Sequence, residues 1–312
     1  MIRLALSLFV LVAVVFALST TDAAIPIHQH SLEPPLLINY EESGFPFWTI
    51  GKSSVAADSY VRLTPAPGKG HGYLWNKHPA ELRQWKANFT VRQGGKPQGF
   101  HIFSTGDNNC KTCGSAFWYV ADQARHGTSS FFGIQNRFRG FGIVFPSDRA
   151  QLHLVQSDGQ MPASSLEEVS IASCPFTLDN IPRVIVVTYQ AGGFVSISYA
   201  PADKPTYLVQ CTKNIQVSYV ENRYYFGFTA VHTNPAYQGM DVMAMKTVGA
   251  LENDADENTR ANLRYDPDED KRDKKLWDGK PDQPQNTNNQ QQQQQQQNQN
   301  QQPQQQGNGE FY

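Results

Sequence analysis

Residues 84–93 read QWKANFTVRQ, with large apolar side chains at every second position. Trp85, Ala87, Phe89 and Val91 share one face of an extended chain, and Lys86, Asn88, Thr90 and Arg92 share the other. A period of two is what a β-strand imposes, because successive side chains leave a pleated backbone on opposite sides. The stretch reads as a strand with one face in a core and one in water. Asn88 opens an Asn-Phe-Thr triplet, an acceptor for N-glycosylation, and the alternation puts it on the wet face.

Working outward, the same grammar recurs. Arg183–Ala200, RVIVVTYQAGGFVSISYA, is two β-rich runs around Ala191-Gly192-Gly193, whose glycines can take the positive φ of a tight hairpin. Tyr224–Val231 (YYFGFTAV) and Asp241–Val248 (DVMAMKTV) read as further strands. Turn clusters such as PAPGKG, QGGKPQG and APADKP separate the runs, and no internal repeat is present. Only PAELRQ (79–84) and SSLEEV (164–169) suggest a helical turn. Many short strands with Gly and Pro between them imply an all-β sandwich or jelly roll.

The two ends of the 312-residue chain differ from this middle. Residues 1–24 place one basic residue, Arg3, before an apolar run from Leu4 to Leu18, then small and polar residues to Ala24. That is the layout of a secretory signal peptide. The alternative, an uncleaved anchor, is disfavoured because a span needs roughly 20 apolar residues. No second run of that length exists, so the sequence offers no transmembrane span beyond the signal segment. Residues 252–312 mix acids and bases and then become almost wholly Gln and Asn. Such a composition buries too little apolar surface to offset its ordering entropy, so it reads as a disordered tail. The folded domain is therefore 25–251. A formal net charge of -2 without a basic stripe argues against nucleic acid as a partner.

The four cysteines of a chain bound for an oxidising compartment are expected to pair. Cys110-Lys111-Thr112-Cys113 stands directly before Gly114-Ser115-Ala116-Phe117-Trp118-Tyr119-Val120. A redox thiol pair wants the first cysteine at a helix N-terminus, whereas Cys113 leads straight into a strand. A structural zinc site wants four ligands, and neither a second such pair nor close histidines are present; His101 and His126 are loosely placed. A small disulfide loop at a strand mouth is the favoured reading, with redox and metal roles as alternatives. No strand carries two acids at i and i+2 for glycoside hydrolysis, and there is no G-x-S-x-G elbow. No catalytic residue is assigned, and the chain reads as a binding module rather than an enzyme. His28-Gln29-His30 reads as part of a solvated arm in preference to a metal site.

Taken in order, several stretches resemble the L-type, legume-like lectin domains of the early secretory pathway. They are SLEPPLL from Ser31, FPFWTIGKSSVAADSYVRLTP (Phe45–Pro65), GYLWNKHPAELRQWKANFTV, GSAFWYVAD (Gly114–Asp122), FFGIQNRFRGFGIVF (Phe131–Phe145) and YYFGFTAV. Together they span nearly all of Leu32 to Val248. The resemblance implies a concanavalin-type jelly-roll sandwich of two antiparallel sheets, with a sugar site on loops above one sheet. It implies a disulfide between Cys174 and Cys211 on neighbouring strands. It implies, too, that Cys113 occupies the position where mannose-binding members carry an aspartate, directly before Gly114. The family's Asp-x-x-x-Asn stretch falls on Pro146 and Ala150, and its His-x-x-Asp pair on Val155 and Asp158. The degenerate sugar set is thus Cys113, Gly114, Ala150 and Val155. Asp148 and Asp158 are the only metal ligands left, and His153 reads as an ordinary strand histidine.

Calcium wants six to eight oxygen ligands, which Cys, Pro, Ala and Val side chains do not supply. The expectation is no resident cofactor, with calcium implied only by the resemblance. The implied role is a lumenal protein of the endoplasmic reticulum and Golgi, secreted or held by its signal segment. It would bind glycoproteins or high-mannose-type glycans and aid their transport. Trp118 and Tyr237 are candidates to stack on sugar, with a core role favoured for Trp118. A protein-binding module that ignores sugar and a redox helper built on Cys110 and Cys113 are the competing readings.

Overall fold

The computed structural model describes residues 25–38, 44–64, 70–94, 110–123, 131–218, 220, 223–233 and 239–251. All of them fall within one compact unit, Met1–Arg264. The proposed signal segment and tail, with His101, His126 and Tyr237, lie outside the described residues. The chain runs through β1 (Ile25–Pro26), β2 (Gly44–Phe45), β3 (Trp48–Lys52), β4 (Val55–Ala57), β5 (Tyr60–Arg62) and β6 (Gly70–Asn76). Then come β7 (Leu82–Gln93), β8 (Gly114–Val120), β9 (Arg139–Pro146), β10 (Gln151–Asp158) and the short helix α1 (Leu166–Val169). It closes with β11 (Ser170–Pro175), β12 (Arg183–Gln190), β13 (Phe194–Pro201), β14 (Val209–Gln216), β15 (Tyr225–His232) and β16 (Met240–Leu251).

Two antiparallel sheets result. The first has the order β14-β13-β12-β7-β16-β5-β4, with β1 also pairing β16; the second has the order β11-β10-β9-β8-β15-β6-β3-β2. β7 is central in the first, and its alternation is borne out: Trp85, Ala87, Phe89 and Val91 are buried while Lys86 is exposed. Phe89 pairs with Ile185 on one side and Met245 on the other, which continues the buried row. The β12–β13 hairpin turns at Ala191-Gly192-Gly193 as the sequence implies. Gly193 sits at φ 83, and a Cβ there would lie 2.6 Å from the Val217 carbonyl oxygen, so only glycine fits.

The second sheet is buried on both faces, which is why GSAFWYV shows no alternation: every residue of β8 is buried. Phe117 and Tyr119 face the inter-sheet core with Phe141, Ile143, Phe226 and Phe228. Ala116, Trp118 and Val120 face a second cluster with Trp75, Phe131, Phe132, Phe138, Val155 and Leu166. Trp85 anchors the main core, its ring 4.9 Å from Phe226, 5.1 Å from Tyr119 and stacked on Phe141 at 6.1 Å. Aromatic pairs at such spacings add stabilisation beyond the area they bury.

Of the remaining expectations two hold, and two, the PAELRQ turn and the solvated arm, need correcting. PAELRQ is no helical turn, because Ala80 bridges to Tyr224 and β7 begins at Leu82, where sheet pairing overrides a weak local preference. SSLEEV does form α1, with a capping box between Ser165 and Glu168. The expected Cys174–Cys211 bond is present. It links β11 to β14, edge strands of different sheets, and staples the sandwich along one side. The arm at His28–His30 is not solvated throughout. It forms a 3-10 turn in which His30 is fully buried, its Nδ1 2.9 Å from Asn76 Oδ1.

Candidate functional site

Four strands of the second sheet end in one row, since His71 pairs with Val231, Val231 with Gly114 and Gly114 with Pro146. Above this row three loops meet. The first is 110–113, closed by the Cys110–Cys113 disulfide, so the strand-mouth clip is the form the pair takes. The second is the turn at Phe131–Ile134, whose two residues exchange backbone hydrogen bonds at 3.0 Å. The third is 147–150, between β9 and β10. Backbone bonds tie them: the Phe132 N–H donates to the Thr112 carbonyl at 2.9 Å. The Ser147 N–H and hydroxyl both donate to the Cys113 carbonyl, at 3.1 and 3.2 Å. Gly114 sits at φ 145, and a Cβ there would come within 2.2 Å of the Phe145 carbonyl oxygen.

Side chains brace the same end from below. Trp118 Nε1 donates to Thr229 Oγ1 at 2.7 Å, and that hydroxyl donates to the Phe132 carbonyl at 2.5 Å. Trp118 lies over Gly142, where a Cβ would be 2.3 Å from the indole, and it is fully buried. It is core and presents no face to a sugar. His71 places Nε2 2.9 Å from the Gly133 carbonyl, which fixes Nε2 as the protonated nitrogen of the neutral ring. Burial, and then Lys52, hold its pKa below the ordinary value.

The sequence-derived ligands separate into two places. Cys113, Gly114, Asp148 and Ala150 gather at this loop end. Val155 is fully buried in the second cluster and offers no polar atom. Asp158 closes the opposite end of β10, paired with Arg139, its Oδ1 accepting from the Gln160 N–H at 2.9 Å. Gln151 to Asp158 is an eight-residue strand; at ~3.3 Å per residue its ends are roughly 23 Å apart. Asp148 and Asp158 therefore do not share an ion, and the two-carboxylate metal set is corrected on that ground.

Asp148 is also engaged. Arg149 Nε and Nη2 donate to its two oxygens at 3.0 and 2.9 Å, and Arg149 Nη1 reaches Glu167 of α1 at 2.9 Å. The Asp148 hydrogen bond, ahead of Glu167, raises the Arg149 pKa still further above its usual range. The Glu167 carboxyl is lowered by its own backbone N–H and then by Arg149. His153 lies between Ser170 Oγ and Gln151 Oε1, at 2.9 and 3.1 Å. Burial, then Arg149, lowers its pKa. Its partners and burial give it a structural role.

Calcium does not fit this loop end. Cys113 is consumed in a disulfide, Pro146 and Ala150 have no side-chain oxygen, and the Ala150 carbonyl accepts the Phe176 N–H. One carboxylate already paired with a guanidinium falls far short of six oxygens. Among the described residues no group of three or more His, Cys, Asp or Glu is placed to hold a metal ion. The Arg149–Glu167 bridge escaped sequence reasoning because the two residues are separated by a whole strand. The one available signal was that SSLEEV presents acids in the first turn of a helix.

A two-sheet sandwich with three loops crowning one sheet is now in view, and the model of the legume-like lectin family matches residues 26–268. The chain belongs to the legume-like lectin family. Within it, the vesicular integral-membrane protein VIP36 of Canis lupus familiaris is 30% identical over 123 residues, 38% of this chain and 31% of that protein. The VIP36-like protein of Bos taurus is 29% identical over 126 residues, 39% of this chain and 33% of that protein. The match thus spans about a third of the length of these relatives. Among solved structures, the VIP36 exoplasmic/lumenal domain in its Ca2+/Man-bound form superposes with TM-score 0.59 at 22% identity, covering 74% of this chain and 94% of that one. The Emp47p carbohydrate recognition domain superposes with TM-score 0.59 at 18% identity, covering 74% and 100%. At these identities the superpositions establish the legume-like lectin fold. No helix among the described residues is long and apolar enough to cross a membrane.

Proposed function

We propose that this protein is a glycoprotein-binding module of the secretory-pathway lumen, without enzymatic activity, that recognises its clients without calcium. Family membership, the apolar N-terminal segment and the likeness to VIP36, a vesicular membrane protein by name, support the lumenal and glycoprotein parts. One observation carries the rest: the loop end that would cradle an ion holds a disulfide, and its nearby carboxylates, Asp148 and Glu167, are taken up by Arg149. The Arg149 guanidinium occupies both oxygens of Asp148 and one of Glu167, so these carboxylates are committed to it, and its remaining N–H groups can donate to sugar hydroxyls. The family's transport role extends to this chain on the same reading.

The test is a glycan array probed with the purified full chain, with and without chelator. Binding to glycoprotein glycans that is indifferent to EDTA is expected, and high-mannose binding abolished by EDTA would refute it. One feature favours a second reading, a protein-binding module that ignores sugar. Tyr207, Leu208 and Val209, at the entry to edge strand β14, are 71%, 51% and 49% exposed. An array without a single bound glycan would move the function to that surface.

A further inference from the structure

Asn88 lies in the middle of β7, on the outer face of the first sheet, between Val186 of β12 and Lys246 of β16. The residue is half-buried, and its Oδ1 is buried without a hydrogen-bond partner. A structural asparagine engages both ends of its amide. Asn76 shows this, accepting at Oδ1 from the His78 N–H at 3.2 Å and donating from Nδ2 to the Gln29 carbonyl at 2.5 Å. Asn88 does neither: its carbonyl end is turned into the sheet unused, which leaves Nδ2 as the outward atom of the amide. Thr90, the third residue of the triplet, follows on the same face and is half-buried too. Other side-chain atoms, Thr64 Oγ1 and Trp85 Nε1 among them, are likewise buried without a hydrogen-bond partner, so what singles Asn88 out is that its unengaged amide opens an Asn-Phe-Thr triplet.

We propose that Asn88 carries an N-linked oligosaccharide, attached before β7 is enclosed, and that this glycan covers the outer face of the first sheet. The donor is an oligosaccharide on an isoprenoid diphosphate, used by a lumenal transferase. Nδ2 forms a bond to the anomeric carbon, the bond from that carbon to the diphosphate oxygen breaks, and the diphosphate leaves with the electron pair. The proton lost from the amide passes to a base of the transferase. Timing follows from topology. Both strands that flank β7 are made later, β12 from Arg183 and β16 from Met240, so the nascent triplet enters the lumen before either neighbour exists. Once paired on both edges, Asn88 cannot leave the sheet to enter another active site. Val184, Val186 and Val248 are half-buried on the same face. The first sugars lie over them, and a second copy of the chain cannot stack sheet on sheet there.

The inference rests on the secretory part of the proposed function and not on calcium or sugar binding. The full chain is made in secreting eukaryotic cells, and the tryptic peptide Ala87–Arg92 is analysed before and after peptide-N-glycosidase. The expected result is a glycosylated peptide in which the enzyme converts Asn88 to Asp, lost in Thr90→Ala and kept in Thr90→Ser. Chain recovered from the lumen or medium with Asn88 bare overturns the inference and leaves the proposed function standing. Chain that never enters the lumen overturns both. Folded, unglycosylated chain offered to the transferase with lipid-linked donor should stay unmodified, while the unfolded chain is modified. Efficient modification of the folded chain would overturn the order of events.

Discussion

Acidification from pH 7 to pH 5 should remove about 2 kcal/mol of stability through one side chain, His30. The ring is fully buried, 5.6 Å from Phe226, with Nδ1 on Asn76 Oδ1. Burial pushes its pKa down from 6.5 to about 4, against a smaller upward pull from the Asn76 hydrogen bond and with a further push from His78. The sign follows from linkage. The unfolded chain takes up a proton below about 6.5 and the folded chain only near about 4, so stability falls as pH falls through that window. The ceiling is about 3.4 kcal/mol, at ~1.36 kcal/mol per unit, and roughly 2 kcal/mol of it is lost by pH 5. Urea unfolding at both pH values, for the native protein and for His30→Gln, isolates the effect. His71 and His153, also lowered, titrate in both proteins and cancel. The native protein should lose about 2 kcal/mol more than the variant. Equal losses, or an NMR titration in which His30 takes up its proton between pH 7 and 6, would refute the reasoning.

The inter-sheet staple and the outer-face ion cluster give further expectations. Cys174 and Cys211 are 37 residues apart; opening that loop in Cys174→Ser/Cys211→Ser should cost roughly 4 kcal/mol by the chain-entropy model. An unchanged urea midpoint in the double variant would show that the staple does not constrain the unfolded chain. Asp241 is fully buried and bridges Arg62 Nε at 2.7 Å and Arg92 Nε at 3.1 Å. Asp241→Asn leaves two like charges side by side. The loss should be about 2 kcal/mol, less than for a wholly buried pair because both arginines reach solvent. A thermal melt that matches the native protein would count against that assignment.

Much of the fold was legible because β7 is buried on one face only, so its pattern of two survives in the sequence. β8 was legible as a strand from its aromatic content, yet its two buried faces erased any signal of which neighbour each side chain meets. The PAELRQ stretch misled because Ala80, Glu81 and Leu82 favour a helix locally, while the pairing that wins, Leu82 with Leu251, lies far away in the chain. The candidate site was less legible. The resemblance assigned ligand positions by motif order alone, and whether the remaining acids meet could not be read from it. Asp148 and Asp158 look like neighbours on paper, and the straight strand between them sets them at opposite ends. Likewise the disulfide partners could be named from resemblance, whereas the fact that they join two sheets depends on which strands become edges.

Under the proposed function the loop end above β8 and β9 binds no calcium ion. Isothermal titration of the purified chain with calcium, followed by mannose, tests it most directly. The account predicts only heats of dilution for calcium, and a mannose titration that is the same with and without it. Saturable calcium binding at micromolar concentrations, with mannose then bound in a calcium-dependent manner, would contradict it.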